Sequence, residues 1–403
     1  MNKLFKVAVL GGGASGLLAA TELLTGDSAL LGREVAILER NDRLGKKLVA
    51  TGNGQGNLSN AKLSSTNYSG AADFISAFIE QFNKINPVSY LNKLGIVTEK
   101  DEAGRIYPVS RQASSVLDIL RQYLESKNCT AITGFKAISV KPCADGFKIV
   151  SEKGDIITAQ KVIIAAGGKA AKQFGTDGSA YSLLTEFSHK LTPLYPSLVQ
   201  LKTEKELIKG LKGIKHNVAL QLFDCEKLIK FATGDLLFTD FGVSGNAVFK
   251  ISDKIQTLQN PILIIDFVPN FSEPELKNIL INRKKQGYIP TRELLNGIVH
   301  KKLGETIYKL CNNDIDKTAK TVKSFALKIV GTLGFDYAQT TKGGINTHDI
   351  NPETYESKLQ KGIYVVGEIL DVDGECGGYN LTFAFTSGIA AAKAVKAAFI
   401  ENK

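Results

Sequence analysis

The chain has 403 residues, 43% of them hydrophobic, and carries 50 Lys and Arg against 40 Asp and Glu for a net charge of +10. That length exceeds one usual core, so two or three domains are expected, and the ordinary apolar and charged content excludes disordered and fibrous classes. Five scattered cysteines without a C-x-x-C pair, and four histidines far apart, argue against a disulfide framework and a metal site and favour a reducing, cytoplasmic setting.

In chain order, KVAVLGGGASGLLAATELL at 6–24 predicts a short buried strand, a glycine turn and a helix. The glycines break its apolar run, which excludes a signal peptide, and no segment reads as the roughly 18–20 apolar residues that span a membrane. REVAILERN gives a second strand ending at Glu39. The stretch LVATGNGQGNLSN at 48–60 is rich in glycine and asparagine, a segment costly to order unless it holds something. SRQASSVLDILRQYLESKN places Val116, Ile119, Leu120, Tyr123 and Leu124 on one helical stripe. Strands follow at FKAISV, FKIVSE and KVIIAAGG.

From about residue 193 the texture becomes β-rich. SLVQLKT, HNVALQLFD, LIKFATGDLLFTDFG, AVFKIS and PILIIDFVP predict a small barrel or sandwich. Ser272 with Glu275 three residues on is a capping box, and helical patterns are expected from there to about Leu333. The chain returns through TTKGGI to a buried strand, GIYVVGE, and a final helix of small residues. The expected layout is a discontinuous cofactor domain (1–190 with 341–403), a β-barrel-like insert (191–271, rejoined by 334–340) and a helical insert (272–333). Residues 271–335 hold twelve Lys and Arg against six Asp and Glu, so +6 of the net charge lies there. Such a segment either docks a phosphate-rich partner or is a solvated lysine-rich face.

Gly11, Gly13 and Gly16 form G-x-G-x-x-G between a strand and a helix, with Glu39 ending the next strand. The glycines allow a tight turn, a close approach to pyrophosphate and close helix packing, and the helix N-terminus favours phosphate. Glu39 is suited to a ribose diol. The AAGG turn ending KVIIAAGG and the Gly367-Glu368 turn ending GIYVVGE extend this into a pattern similar to the FAD signature of two-dinucleotide-binding-domain flavoproteins. The expected cofactor contacts are Gly11, Gly13, Ala14, Ser15, Gly16, Glu39, Arg40, Lys46 and Lys47. To these are added Thr51, Gly52, Asn53, Gly54, Gln55 and Asn57, then Ala137, Ala166, Gly167, Gly367, Glu368, Gly378, Asn380 and Leu381. In GECGGYNLTFAFTSG at 374–388, glycines permit close backbone approach, Asn380 is expected to reach a ring edge, and Cys376 and Tyr379 are the candidate catalytic groups. Tyr379, Phe383 and Phe385 read equally well as core aromatics.

These motifs, with GRIYPVS at 104–110, GTDGSAY at 175–181, LTPLYPSLVQL at 191–201, LLFTDFGVSG and INPETYESKL at 350–359, resemble the BaiN/RdsA-like (YhiN-type) family of NAD(P)/FAD-dependent oxidoreductases nearly end to end. The resemblance implies FAD, reduced by NADH or NADPH, in a Rossmann-type α/β domain with an inserted barrel-like domain and a small helical domain. It implies hydride delivery to a C=C bond, with uridine in ribosomal RNA as first expectation and the basic 272–333 segment as its dock. A small enone or an amine of the aminoacetone type is the second, and a non-catalytic flavin-bound RNA-binding factor the third. The chain departs from the family pattern at Gln55-Gly56, where relatives carry Arg-Cys, at Asp240 and Asn246, and at Phe383 and Phe385. If the missing cysteine was the proton donor, Cys376 is its candidate replacement.

Overall fold

A computed structural model describes residues 4–401, which divide into two compact units, 4–195 with 340–401 and 196–339. The first is a Rossmann-type domain. Strand β1 (Leu4–Leu10) lies parallel to β2 (Val35–Glu39) on one side and to Ile156–Ile164 on the other, and Thr130–Thr133 extends the sheet beyond β2. Ile156–Ile164 changes neighbour along its length: its start pairs antiparallel with Gly146–Ser151, and its end pairs parallel with Ile363–Val365. Val7, Val9, Val35, Ile37, Val162 and Ile164 are fully buried, which is why these strands read as continuous apolar runs and not as alternating ones. Helix α1 (Ala14–Leu23) and the C-terminal helix (Tyr379–Ile400) pack in the same core.

That C-terminal helix corrects the expectation that no membrane-length apolar segment exists. By length and composition it is one, but its most apolar window is 67% buried in the domain core. Two helices that the sequence reading passed over, Ala72–Ile85 and Pro87–Lys93, also contribute to this core through Phe74, Phe78 and Leu91.

In the second unit six strands close a barrel in the order Leu201–Thr203, Gly242–Ser244, Lys227–Phe238, Lys215–Asp224, Pro261–Asp266 and Phe325–Thr332. Two expectations fail here. AVFKIS is not a strand: Asn246–Ser252 is a helix, with Ala247, Val248 and Ile251 buried at helical spacing, an ambiguity inherent in short apolar runs. The helical pattern also stops before Leu333, because Phe325–Thr332 buries alternate residues (Phe325, Leu327, Ile329) as a barrel strand does. The capping box is present, with the Ser272 N–H donating to Glu275 at 2.7 Å. Helix residues Leu276, Leu280, Leu303 and Ile307 share one core with barrel residues Leu220 and Phe238, so the expected 271/272 boundary falls inside a single unit.

The far ends of α1 and the C-terminal helix are joined by a buried ion pair. Lys396 Nζ lies 2.7 Å from Glu22 and donates to the backbone carbonyls of Glu22 and Thr25, each at 2.9 Å. Removing one partner of a buried pair strands the other. Lys396→Met is therefore expected to cost about 3–5 kcal/mol in urea unfolding, and Glu22→Gln with Lys396→Met to recover a large part of it. Equal stabilities for the single variant and wild type would refute this account.

Candidate functional site

The turn after β1 is set by backbone contacts. Gly11, in the left-handed region at φ 105°, donates its N–H to Leu38 at 2.9 Å. A Cβ on Gly11 would strike the Ala165 carbonyl, and one on Gly16 would overlap the Gly11 carbonyl oxygen. These two glycines are required by packing. Gly13 is different: its backbone is extended, at φ −82° and ψ −166°, and among the described residues nothing beyond its two chain neighbours lies within 4 Å of where its Cβ would be. Helix α1 starts immediately after it with no side-chain cap and no acidic residue in its first turn, so its first N–H groups face this open space. An uncapped helix N-terminus opening onto space the chain does not fill fits a pyrophosphate.

The other turns converge on the same point. A Cβ on Gly367 would lie 2.6 Å from Ser15 Oγ, and one on Gly388 would overlap the Ser15 carbonyl. Ala166 and Gly167 follow the end of Ile156–Ile164, where the Ala165 N–H donates to Leu10 at 2.8 Å. The sequence-predicted Gly11, Gly13, Ala14, Ser15, Gly16, Ala166, Gly167 and Gly367 therefore meet around one helical turn.

Glu39 is buried at the end of β2. Its Oε2 accepts from the Gly12 N–H at 2.8 Å, and its Oε1 from the Asn41 N–H at 2.8 Å and side chain at 2.7 Å. One acceptor position on Oε2 remains for a hydroxyl. Arg40 reaches across to the 174–179 loop, donating to the Gly175 carbonyl at 3.1 Å and pairing with Asp177 at 2.6 Å. Lys46 turns instead to the exposed Asp42, at 2.7 Å, and joins none of these groups. Lys47 pairs with Glu368 at 2.7 Å, and Glu368 also accepts the Thr341 N–H at 3.1 Å. Nearby, the Tyr181 hydroxyl is buried without a hydrogen-bond partner among the described residues. Burial first, and then the charges of Glu368 and Asp371, push that phenol far above its ordinary value. Ala137 begins the strand Ala137–Cys143, two residues past Phe135, whose N–H donates to the Glu39 carbonyl at 2.9 Å.

The 48–60 stretch packs against the start of the C-terminal helix. Gly52 and Asn53 take left-handed conformations, and Gly54 has open space where its Cβ would be. Thr51 is spent locally, donating to the Leu48 carbonyl at 2.7 Å, and the Gln55 N–H closes the turn onto Gly52. With its amide oxygen and nitrogen exchanged, the orientation that satisfies both neighbours, Asn57 donates to the Ser59 carbonyl and accepts from the Gly378 N–H, each at 3.2 Å. Asn60 donates to the Gly377 carbonyl at 3.0 Å, and Thr382 to Ser59 at 2.9 Å. Asn380 does not present its amide to a ligand: it accepts from the Gly374 N–H at 2.9 Å and donates to the Gly374 carbonyl at 2.6 Å, which shapes the loop. Leu381 packs against the core, and Phe383 and Phe385 are buried in it. Tyr379 is nearly buried, edge-on to Tyr68 at 6.0 Å, and burial raises its phenol. Cys376 is half-buried and directly precedes Gly377, whose carbonyl accepts from Asn60.

A profile described as "HI0933-like protein Rossmann domain" matches residues 5–394. The chain belongs to this family. HI0933-like here means an FAD-dependent oxidoreductase with a Rossmann-type cofactor domain. This HI0933-like chain is 33% identical, over 96% of its length and 98% of the relative's, to the 3-dehydro-bile acid delta(4,6)-reductase of Clostridium scindens. It is 26% identical, over 98% of both chains, to the ribosomal RNA dihydrouridine synthase of Escherichia coli. In fold it is similar to a 3-ketosteroid-delta4-(5alpha)-dehydrogenase from Rhodococcus jostii RHA1, with TM-score 0.53, 15% identity, and 98% and 97% of the two chains covered.

The sequence reading missed Gly12, Asn60, Arg105, Tyr107, Asp177 and Thr341. Alternation in GRIYPVS was the available signal for Arg105 and Tyr107, whereas Thr341 carries none. Two outcomes follow for the HI0933-like cradle. Gly13→Ala is expected to leave thermal unfolding of the flavin-free protein unchanged while lowering flavin content, and Gly16→Ala to lower both; the reverse ranking would refute the division. For Asp177, burial opposes ionisation, but hydrogen bonds from Arg40 and Ser179 overcome it and hold the carboxyl well below its ordinary range. A depressed folded-state pKa contributes stability above the unfolded value and loses it as pH falls. Asp177→Asn should thus be less stable than wild type at pH 7, with the gap only beginning to narrow below about pH 4 and closing at a far lower pH, where the folded carboxyl itself protonates. A gap in thermal melts that does not narrow at all between about pH 5 and pH 3 would contradict the ion-pair account.

Proposed function

We propose that this FAD-dependent oxidoreductase takes electrons from NADH or NADPH and adds hydride to a C=C bond conjugated to a carbonyl, in a small planar enone. The observation that carries the reading is the cofactor cradle around Gly13 and α1 in a chain similar, nearly end to end, to a relative named for delta(4,6) reduction. The α1 N-terminus and Gly13 hold the pyrophosphate, Glu39 the ribose, and the 51–57 loop with Gly377 and Gly378 the flavin end. Bound there, FAD supplies two-electron chemistry and hydride donation. The N-terminus of the C-terminal helix, which has no acid in its first turn, favours negative charge at its mouth. Cys376 Sγ, half-buried at that mouth, holds the proton that completes the reduction.

Uridine in ribosomal RNA is the second reading, favoured by Lys284, Lys285, Lys309, Lys317 and Lys320, which form no ion pair among the described residues. Weighing against it, much of the segment's charge is spent inside the fold. Arg283 donates to the Leu294 and Asn296 carbonyls, and Lys323 pairs with Asp266 and donates to Val268. Lys277 pairs with Asp316, and Lys301 with Glu293.

Purified protein should show flavin absorbance that bleaches anaerobically with NADH or NADPH. Colour should then return on adding a 3-keto-4-ene steroid or cyclohexenone, without RNA. Recovery only with ribosomal RNA, together with strong salt dependence, would move the assignment to uridine. Bleaching by an amine without nicotinamide would mark an amine oxidase. Flavin that no nicotinamide reduces would end the reductase reading.

A further inference from the structure

Beside the mouth of the C-terminal helix lies a small sheet that the sequence reading did not assign to any chemistry. Ser59–Asn60 pairs antiparallel with Arg105–Pro108, which pairs with Thr98–Lys100. Asn60 stands directly opposite Arg105, and Glu99 opposite Tyr107. Cross-strand partners share a face, as do residues two apart on one strand, so Asn60, Arg105, Tyr107 and Glu99 all project from the same side. Asn60 binds the Gly377 carbonyl, so this is the side on which Cys376 and Gly377 sit.

The arginines on this face are held in different ways. Arg111 takes a left-handed backbone at φ 50°, unusual for a residue with a side chain, and its guanidinium lies 4.3 Å from the Tyr107 ring centre. Glu99 fixes it through both Nε, at 2.7 Å, and a terminal nitrogen, at 2.6 Å. The Arg111 fork is therefore occupied. Arg105 is pinned at one point only: its Nε donates to Asp101 Oδ2 at 2.8 Å, while Asp101 Oδ1 accepts the Arg105 backbone N–H at 2.9 Å. Its terminal nitrogens Nη1 and Nη2 make no hydrogen bond among the described residues. The side chain is 39% exposed, and its guanidinium lies 5.9 Å from the Tyr107 ring centre. An arginine braced at Nε with its fork unspent is a preorganised receiver for an oxygen that gains negative charge.

We propose that Arg105 receives the carbonyl oxygen of the substrate, with Asp101 and Tyr107 as its positioning residues, and thereby selects planar ketones conjugated to the bond being reduced. The inference rests on the reading of the chain as a reductase of conjugated C=C bonds. In the step, hydride joins the β-carbon, the C=C electron pair moves through the α-carbon to the carbonyl oxygen, and that oxygen becomes an enolate facing Arg105. A proton then joins the α-carbon and the carbonyl re-forms. The two electrons come from the nicotinamide donor, and the proton comes from solvent by way of the Cys376 thiol.

The test uses para-nitrophenol, an enolate mimic whose colour tells whether it is bound as phenol or phenolate, with the flavin-loaded protein. Wild type is expected to prefer the phenolate. Arg105→Gln should bind it at least about tenfold more weakly, with phenol affinity unchanged. With cyclohexenone, the same variant should lose at least about tenfold in kcat/KM while flavin reduction by the nicotinamide keeps its rate. A measurement on wild type alone guards against a variant that fails to fold. The phenolate should protect Arg105, but not the exposed Arg292, from phenylglyoxal, read by peptide mass spectrometry. Phenolate binding equal in wild type and folded Arg105→Gln, absence of phenolate preference in wild type, or unprotected Arg105 would each overturn the proposal. If wild type reduces no enone yet shows Arg105-dependent phenolate binding, the reductase reading falls and the oxyanion site stands.

Discussion

The cofactor domain depends on how little room there is around the first turn of α1. Gly11 lies against Ala165, Gly16 against the Gly11 carbonyl, Gly367 against Ser15 Oγ, and Gly388 against the Ser15 carbonyl. Four segments from the two ends of the chain thus meet at van der Waals distance, and at each contact a single methyl group would push one away. Interiors packed at this density do not deform smoothly, so the turn has one arrangement or none. The buried Lys396–Glu22 pair fixes the opposite end of the same two helices. Between these two fixed points α1 and the C-terminal helix form a rigid pair, and both N-termini are held in place by contacts made far from them in sequence.

Glycine does two separate jobs in this arrangement, and the distinction separates fold from function. Gly11 and Gly16 are filled in by protein, whereas Gly13 and Gly54 face space that the chain leaves open. Gly56 belongs to the first kind: in the left-handed region at φ 74°, its missing Cβ would sit 3.1 Å from Ala113. That bears on the Gln55-Gly56 departure from the family pattern. Read in sequence, it removes a cation and a thiol from the flavin's neighbourhood. In the fold, Asn60 at the end of the same stretch ties it to Gly377 and stands across from Arg105, so both a guanidinium and the Cys376 thiol flank this loop from other segments.

Much of this was legible in sequence, where local pattern and tertiary role coincide. The strand–turn–helix with Glu39 in register, the late Gly-Glu turn and the Ser272 capping box each carry their own short-range signal. The failures have one physical origin. AVFKIS and Phe325–Thr332 are short apolar runs whose periodicity is decided by what they pack against. Asn380 and Lys46 have the right chemistry for a ligand, but nearby partners, Gly374 and Asp42, claim them first. Arg105 shows the converse: the alternation in GRIYPVS marks its strand but not its role, and its unspent fork becomes visible only once Asp101 is seen to hold Nε alone.

The C-terminal helix joins these threads through dielectric environment. Its composition would suit a lipid bilayer, yet Phe383, Phe385, Ile389 and Val395 are buried in the domain core instead. Apolar surroundings along most of its 22 residues leave little water to screen the helix dipole, so the partial positive charge at Gly378 and Tyr379 acts at close to full strength. No acidic residue in its first turn offsets it, and Arg105, paired through Nε with Asp101, stands on the face that Asn60 joins to Gly377. A site built this way stabilises negative charge that develops during reaction, and it gains little from charge already present in a solvated substrate. That asymmetry favours a neutral conjugated ketone, which becomes anionic only as hydride arrives, over a polyanion whose charges must be matched before reaction.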